Sequence, residues 1–193
     1  MRADRNGAVT SQIPTIPDGE GSAATVLPDH LTAGLRVVFC GTAPGLISAE
    51  RGHYYAGPGN AFWSLLWEAG FVPEPLGPED DATLPAHGLG LTDLVKTMAQ
   101  SHDRGLVYDV ASLDNRIAVA KPVWLAFTSK EAGGAAARWL GVAAPRLGPQ
   151  EWSLGGAKVF VLPSPSGRNQ GRSTYDGRAT RREWWAELAE LAV

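Results

Sequence analysis

Residues 35–71 read LRVVFCGTAPGLISAERGHYYAGPGNAFWSLLWEAGF, a buried strand, a Gly/Pro-rich loop, an aromatic loop and an aromatic-rich helix in turn. Val37, Val38 and Phe39 make the short apolar run expected of a strand covered on both faces in a parallel sheet. Gly41, Pro44 and Gly45 follow at once, which predicts a sharp turn with close backbone approach. Asn60 is placed to cap the next helix and Gly70 to end it. Ligands of open α/β sheets bind at the loops leaving the carboxyl ends of the strands. The stretch therefore sets backbone amides and the pair Tyr54–Tyr55 at one expected pocket mouth.

Outward from this stretch, residues 1–28 are rich in small, polar and charged residues without apolar period, which predicts a flexible tail before a single domain over 29–193. Residues 72–85 read as a Pro/Asp/Glu-rich loop, and GLGLTDLV (88–95) as a short strand or extended segment ending near the pocket. A helix is expected over 112–120, with Ser112 as its N-cap and Leu113 and Ile117 one turn apart. PVWLAFT (122–128) and KVFVL (158–162) read as further buried strands, and 152–154 as an edge strand. Residues 131–140 read as a helix loosened by Gly133 and Gly134. The last helix, 180–191, carries a capping box in Thr180 and Glu183, with Trp184, Leu188 and Leu191 on one face. Strands alternating with helices predict an α/β fold, a three-layer α/β/α sandwich on a mainly parallel central sheet.

The chain has 193 residues, enough for one well-developed core. No apolar run approaches the roughly 20 residues of a membrane helix, and the N-terminus lacks a secretory apolar core, so a cytoplasmic location is expected. The single cysteine, Cys40, excludes an intramolecular disulfide and reads as an inert core thiol. His30, His87 and His102 are scattered without ligand spacing, so no metal site is expected. Ser164 and Ser166 do not make a nucleophile elbow, and the first loop lacks the Lys-Ser/Thr of a P-loop. Trp63 and Trp67 read as packing residues; Tyr54 is assigned to the core and Tyr55 to the pocket. The formal net charge is −3, yet residues 164–182 hold five arginines against one aspartate, a local +4 beside the Pro/Ser/Gly loop. Such a segment suits a phosphate-binding edge, although most charge runs are only solvated surface.

GTAPGLIS (41–48), YYAGPGNAFW (54–63) and LPSPSGRNQ (162–170) together resemble the mismatch-specific uracil-DNA glycosylases, bacterial relatives of thymine-DNA glycosylase. The resemblance runs from Leu35 to the C-terminus with the motifs in the family's order. It implies the same three-layer architecture and a monomeric, cofactor-free enzyme of base excision repair. Such an enzyme flips uracil or another mismatched pyrimidine out of double-stranded DNA and hydrolyses its N-glycosidic bond. By the same resemblance Tyr55 stacks on the base, Asn60 begins the helix at the pocket wall, and Gly41, Pro44, Gly45 and Ser48 belong to the base-contacting loop. Ser164, Ser166, Gly167, Arg168, Asn169 and Arg172 fall in or beside the loop that enters the duplex, with the Gly167 backbone against the orphaned guanine.

Two departures matter. The family's first loop reads Gly-Ile-Asn-Pro-Gly and its Asn positions the attacking water; here Ala43 holds that place. The entering loop carries Arg168 where the family has an apolar wedge. A methyl group cannot hold water, so either the protein binds lesions without cutting them or another side chain takes over. Asp93 is the candidate, because a carboxylate among apolar residues can orient water and offset cationic charge on the sugar; Thr42 is the lesser one. The competing reading of Asp93 is a turn carboxylate satisfied by backbone N–H groups. Two rivals stand beside the glycosylase: a non-catalytic lesion- or abasic-site binder on the same fold, and an α/β hydrolase or transferase acting on a free nucleoside.

Overall fold

The apolar run after Leu35 forms β1 (Val37–Gly41), buried at every position, in a computed structural model that describes residues 24–100, 102, 105–167 and 175–193. β2 (Leu89–Asp93), β3 (Trp124–Phe127) and β5 (Ala157–Val161) extend it into a parallel sheet, and β4 (Gly148–Leu154) joins antiparallel at one edge. The strand order is β2-β1-β3-β5-β4. β2 and β3 are also buried throughout, as a sheet covered on both faces requires, whereas β4 alternates between exposed and covered positions. The expected α/β/α sandwich on a mainly parallel sheet is the observed one.

Among the described residues six helical segments surround the sheet: α1 (Leu46–Arg51), α2 (Phe62–Glu68), a 3₁₀ segment (Pro78–His87), α3 (Val110–Ala120), α4 (Lys130–Leu140) and α5 (Arg181–Leu191). α2 packs on α5, and α3 on α4. Successive side chains of a strand face opposite layers. Phe39 accordingly meets Phe62, Phe71 and Trp185, with centroids 5.3–5.5 Å apart, and Phe160 meets Trp184 of α5. Val161, the next residue, faces α4, where a Cβ on Gly133 would lie 2.7 Å from its Cγ2. Gly133 thus lets α4 lie close on the sheet instead of loosening the helix.

Several local expectations change. α1 lies inside the stretch read as loop; it is only six residues long, bounded by an extended Gly45 and by Gly52 at φ 74, too short to show a period. Pro78–His87 is helical where a loop was expected, its start held by Asp80 Oδ2 accepting from the Gly77 N–H at 2.8 Å. α3 starts two residues early, and its cap is Asp109, whose Oδ1 accepts from the Ser112 N–H at 3.0 Å. Ser112 is therefore inside the first turn. Asn60 Oδ1 does accept from the Phe62 N–H at 3.0 Å at the start of α2. Trp63 packs in the core, but Trp67 is 46% exposed. On α5 the buried residues are Trp184, Trp185 and Leu188, while Leu191 is largely exposed.

Residues 26–30 run beside the outer edge of β2. Val26 donates to Lys96 O at 2.7 Å, and His30 pairs antiparallel with Leu91. Leu27 is buried, so this stretch covers an otherwise open strand edge. Among the described residues no helix is long and apolar enough to cross a membrane.

Candidate functional site

The carboxyl ends of the four parallel strands converge on one cavity of about 720 Å³. β1 supplies Gly41 and the turn after it, β2 supplies Asp93, β3 is followed by Thr128 and Ser129, and β5 leads to residues 164–167. Of the residues expected at a site, Gly41, Thr42, Pro44, Gly45, Ser48, Tyr55 and Asn60 all line this cavity, as do Asp93, Ser164, Ser166 and Gly167. Arg168, Asn169 and Arg172 lie outside the described residues.

Asp93 is the last residue of β2 and pairs in register with Gly41, the last of β1. It is 3% exposed. A Cβ on Gly41 would lie 2.4 Å from Asp93 Oδ1, so the carboxylate occupies space that only a glycine leaves open. Its Oδ2 has no hydrogen-bond partner among the described residues, which is not the pattern of a turn carboxylate satisfied by backbone N–H groups. Burial pushes the Asp93 carboxyl up to about 8; Lys96 and Arg116 pull it down, and Asp29 pushes it up.

Tyr55 stands next to this carboxylate. Its ring stacks on Phe62 with centroids 3.9 Å apart and planes 7° from parallel, and its hydroxyl lies 3.2 Å from Thr128 Oγ1. Burial first, then the charge of Asp93, pushes the Tyr55 hydroxyl well above its ordinary range, so the phenol stays neutral. Its φ of 55° is left-handed, a conformation a bulky side chain holds only when its surroundings impose it. Two buried side chains impose it. Asp81 Oδ2 accepts from the Tyr54 N–H at 3.0 Å, and Ser48 Oγ accepts from the Ala56 N–H at 3.0 Å. Ser48 thus anchors the peptide after the aromatic, a task the sequence did not reveal.

The turn after β1 is held from one side. The carbonyls of Gly41, Thr42 and Pro44 accept from the N–H groups of Leu94, Val95 and Gln100 at 2.9–3.0 Å. Because C=O and N–H point in opposite directions across a trans peptide, the amides of Ala43 and Gly45 turn away from that segment. Across the cavity, the Ala61 N–H donates to Pro165 O at 2.9 Å. A Cβ on Gly167 would lie 2.7 Å from Gly59 O, so two glycines let these rims touch backbone to backbone.

The arginines behind the 164–167 segment are largely engaged. Arg181 donates to Ser164 O at 3.2 Å, Arg182 lies against Glu68, and Arg178 pairs with Glu187 while lying 3.8 Å from the centre of the Trp184 ring. The local +4 is therefore partly structural. Gln100, His102 and Thr128 also line the cavity and escaped the sequence reading, since no motif marks them. His53 lies 3.3 Å from Asp81, which also has His30 at 3.5 Å. No cluster of three or more His, Cys, Asp or Glu side chains is arranged to hold a metal among the described residues. Cys40 is buried, and burial with the charge of Asp93 pushes its thiol well up.

Comparison with known proteins agrees with this layout. The sequence profile of the uracil DNA glycosylase superfamily matches residues 28–189. Among solved structures, the chain is similar to the solution NMR structure of a candidate uracil DNA glycosylase from Methanosarcina acetivorans. The two share 23% identity over 86% of this chain and 96% of that one, with a TM-score of 0.55, a likeness of fold.

Proposed function

The chain belongs to the uracil DNA glycosylase superfamily, and on that premise we propose that it is a monofunctional glycosylase that removes uracil, and other mismatched pyrimidines, from double-stranded DNA. What carries the reading is the Asp93 carboxylate, buried, with one oxygen unpartnered among the described residues, in the cavity that Tyr55 lines.

A flipped pyrimidine would stack on the Tyr55 face opposite Phe62. Departure of the base leaves negative charge on the pyrimidine and positive charge on the sugar, as in oxocarbenium-like glycoside hydrolysis. The amides of Ala43 and Gly45 would meet the pyrimidine oxygens, stabilising charge where it develops. Asp93, ionised, would orient a water toward the sugar carbon and take its proton. That assigns to β2 the role that Ala43 cannot perform in the first loop, with Thr42 as the lesser alternative. Ser164, Ser166 and Gly167, with Arg168, Asn169 and Arg172 beyond them, would face the duplex and the orphaned base. The enzyme would act as a monomer without a cofactor.

The test is single-turnover excision from duplexes carrying uracil opposite guanine, uracil opposite adenine or thymine opposite guanine, with an undamaged control. Asp93→Ala is expected to abolish excision while retaining affinity for abasic DNA. Excision by the variant at the wild-type rate would remove Asp93 from the chemistry. No excision by the wild-type protein, with tight abasic-site binding, would make it a lesion binder, a reading that Ala43 fits equally well.

A further inference from the structure

Behind Asp93, on the other side of β2, lies a cluster of charges that the proposed chemistry does not use. Asp29 sits in the segment that covers the β2 edge. Its Oδ1 lies 2.6 Å from Lys96 Nζ and its Oδ2 lies 2.8 Å from Arg116 Nη1. The Thr92 hydroxyl donates to Asp29 Oδ1 at 2.8 Å. Arg116 reaches past Asp29 to Thr92 and, through Nη2, to the backbone carbonyl of Asp93 at 3.0 Å. It touches the carbonyl of Asp93 and not its carboxylate.

This division follows from the strand. Thr92 and Asp93 are successive residues, so their side chains leave β2 on opposite faces. Asp29 is set level with Thr92 because Val26 and His30 bond to Lys96 and Leu91 on either side of it. Two cations and two carboxylates from distant parts of the chain therefore gather around the end of β2, and Asp29 makes the ion pairs of both cations. Burial works to raise Asp29, but the hydrogen bond and charge of Lys96, with those of Arg116, hold it below its ordinary range.

We propose that Asp29 is a positioning residue for Asp93: by binding Lys96 and Arg116 it leaves the Asp93 carboxylate facing the cavity without an ion-pair partner among the described residues. The proposal rests on the glycosylase reading only for its catalytic consequence. A carboxylate already paired with Lys96 would be a weaker base and a poorer acceptor for the proton of the attacking water. The groups facing Asp93 are Asp29 from the edge segment, Lys96 after β2, Arg116 from α3, Cys40 from β1, and Tyr54 and Tyr55 from the loop before α2, with His102 on the same cavity. The thiol and both phenols are pushed up and stay neutral while Asp93 titrates.

The test uses Asp29→Asn and Lys96→Gln. Asp93 is titrated directly by carboxyl ¹³C NMR, its signal assigned by its loss in Asp93→Asn, and the pH profile of single-turnover excision is recorded alongside. Asp29→Asn removes a negative neighbour and frees two cations, so the Asp93 midpoint should fall by about one pH unit or more. Lys96→Gln removes a cation, so the midpoint should rise. Shifts of opposite sign support the proposal; no shift, or shifts of the same sign, overturn it, because a purely structural role would lower stability without moving the midpoint. If Asp29→Asn does not fold, Lys96→Gln decides alone. The acid limb of the excision profile should move with the midpoint. Opposite midpoint shifts with an unmoved acid limb would uphold the positioning role and refute Asp93 as the base.

Discussion

Replacing Asp93 with Asn should change the pH dependence of stability by an amount that follows from one proton. In the fold the Asp93 carboxyl titrates at about 8, against 3.8 as its ordinary value. Between those limits the folded state holds a proton that the unfolded chain releases. Stability therefore falls as pH rises from about 4 to about 8, the sign expected when folding raises an acid's pKa. The slope for one proton is about 1.4 kcal/mol per pH unit, so from pH 5 to pH 7 the wild type should lose roughly 3 kcal/mol relative to Asp93→Asn. This difference needs only that both pH values lie inside the window. Other groups, Asp29 among them, are present in both proteins and largely cancel. Urea unfolding of the two proteins at pH 5, 6 and 7 measures it. Parallel curves would show that the Asp93 carboxyl is not held protonated, and would refute both the burial argument and the placing of an unpaired carboxylate at the cavity floor.

Two further substitutions test neighbouring features. Gly41→Ala places a methyl 2.4 Å from Asp93 Oδ1; excision should fall about 10²-fold for a stability cost of about 1–3 kcal/mol, and a normal excision rate would mean that the carboxylate position is immaterial. Ser48→Ala removes the acceptor for the Ala56 N–H and should cost about 1–3 kcal/mol, read by urea unfolding, with weaker half-saturation for damaged DNA as Tyr55 loses its anchor; unchanged stability would contradict the anchoring role.

Most of the sheet could be read from sequence because strands buried on both faces are continuous apolar runs, as in Val37–Val38–Phe39 and Val159–Phe160–Val161. The site was legible where short motifs carried it, at Gly41, Tyr55 and Gly167. What was not legible depends on register and direction. Nothing local says that Gly41 and Asp93 finish adjacent strands at the same level, or that Thr128 brings its hydroxyl to Tyr55. The Ser48 hydroxyl turns inward to the Ala56 peptide because a six-residue helix, without visible period, aims it there. Asp29 fell at the border of the stretch expected to be a tail, since the bonds that seat it are backbone contacts to β2. Arg178 and Arg182 counted toward a basic edge, but pairing with Glu187 and Glu68 across the fold cannot be seen in a run of charges.

The convergence of four strand ends has a consequence for folding order. Gly41, Asp93, Thr128 and Ser164 are distant along the chain, and each reaches the cavity only after its own strand has paired. Among the described residues no hairpin or single helix brings two of these four positions together. Parallel pairings close long loops before any contact rewards them, which slows folding. The cavity must then appear late and all at once, when the sheet is complete. Amides at its floor, such as those of Leu94 and Thr128, which bond to Gly41 O and Cys40 O, should exchange with solvent only through global unfolding. Anything that binds the cavity would accordingly hold the whole sheet closed.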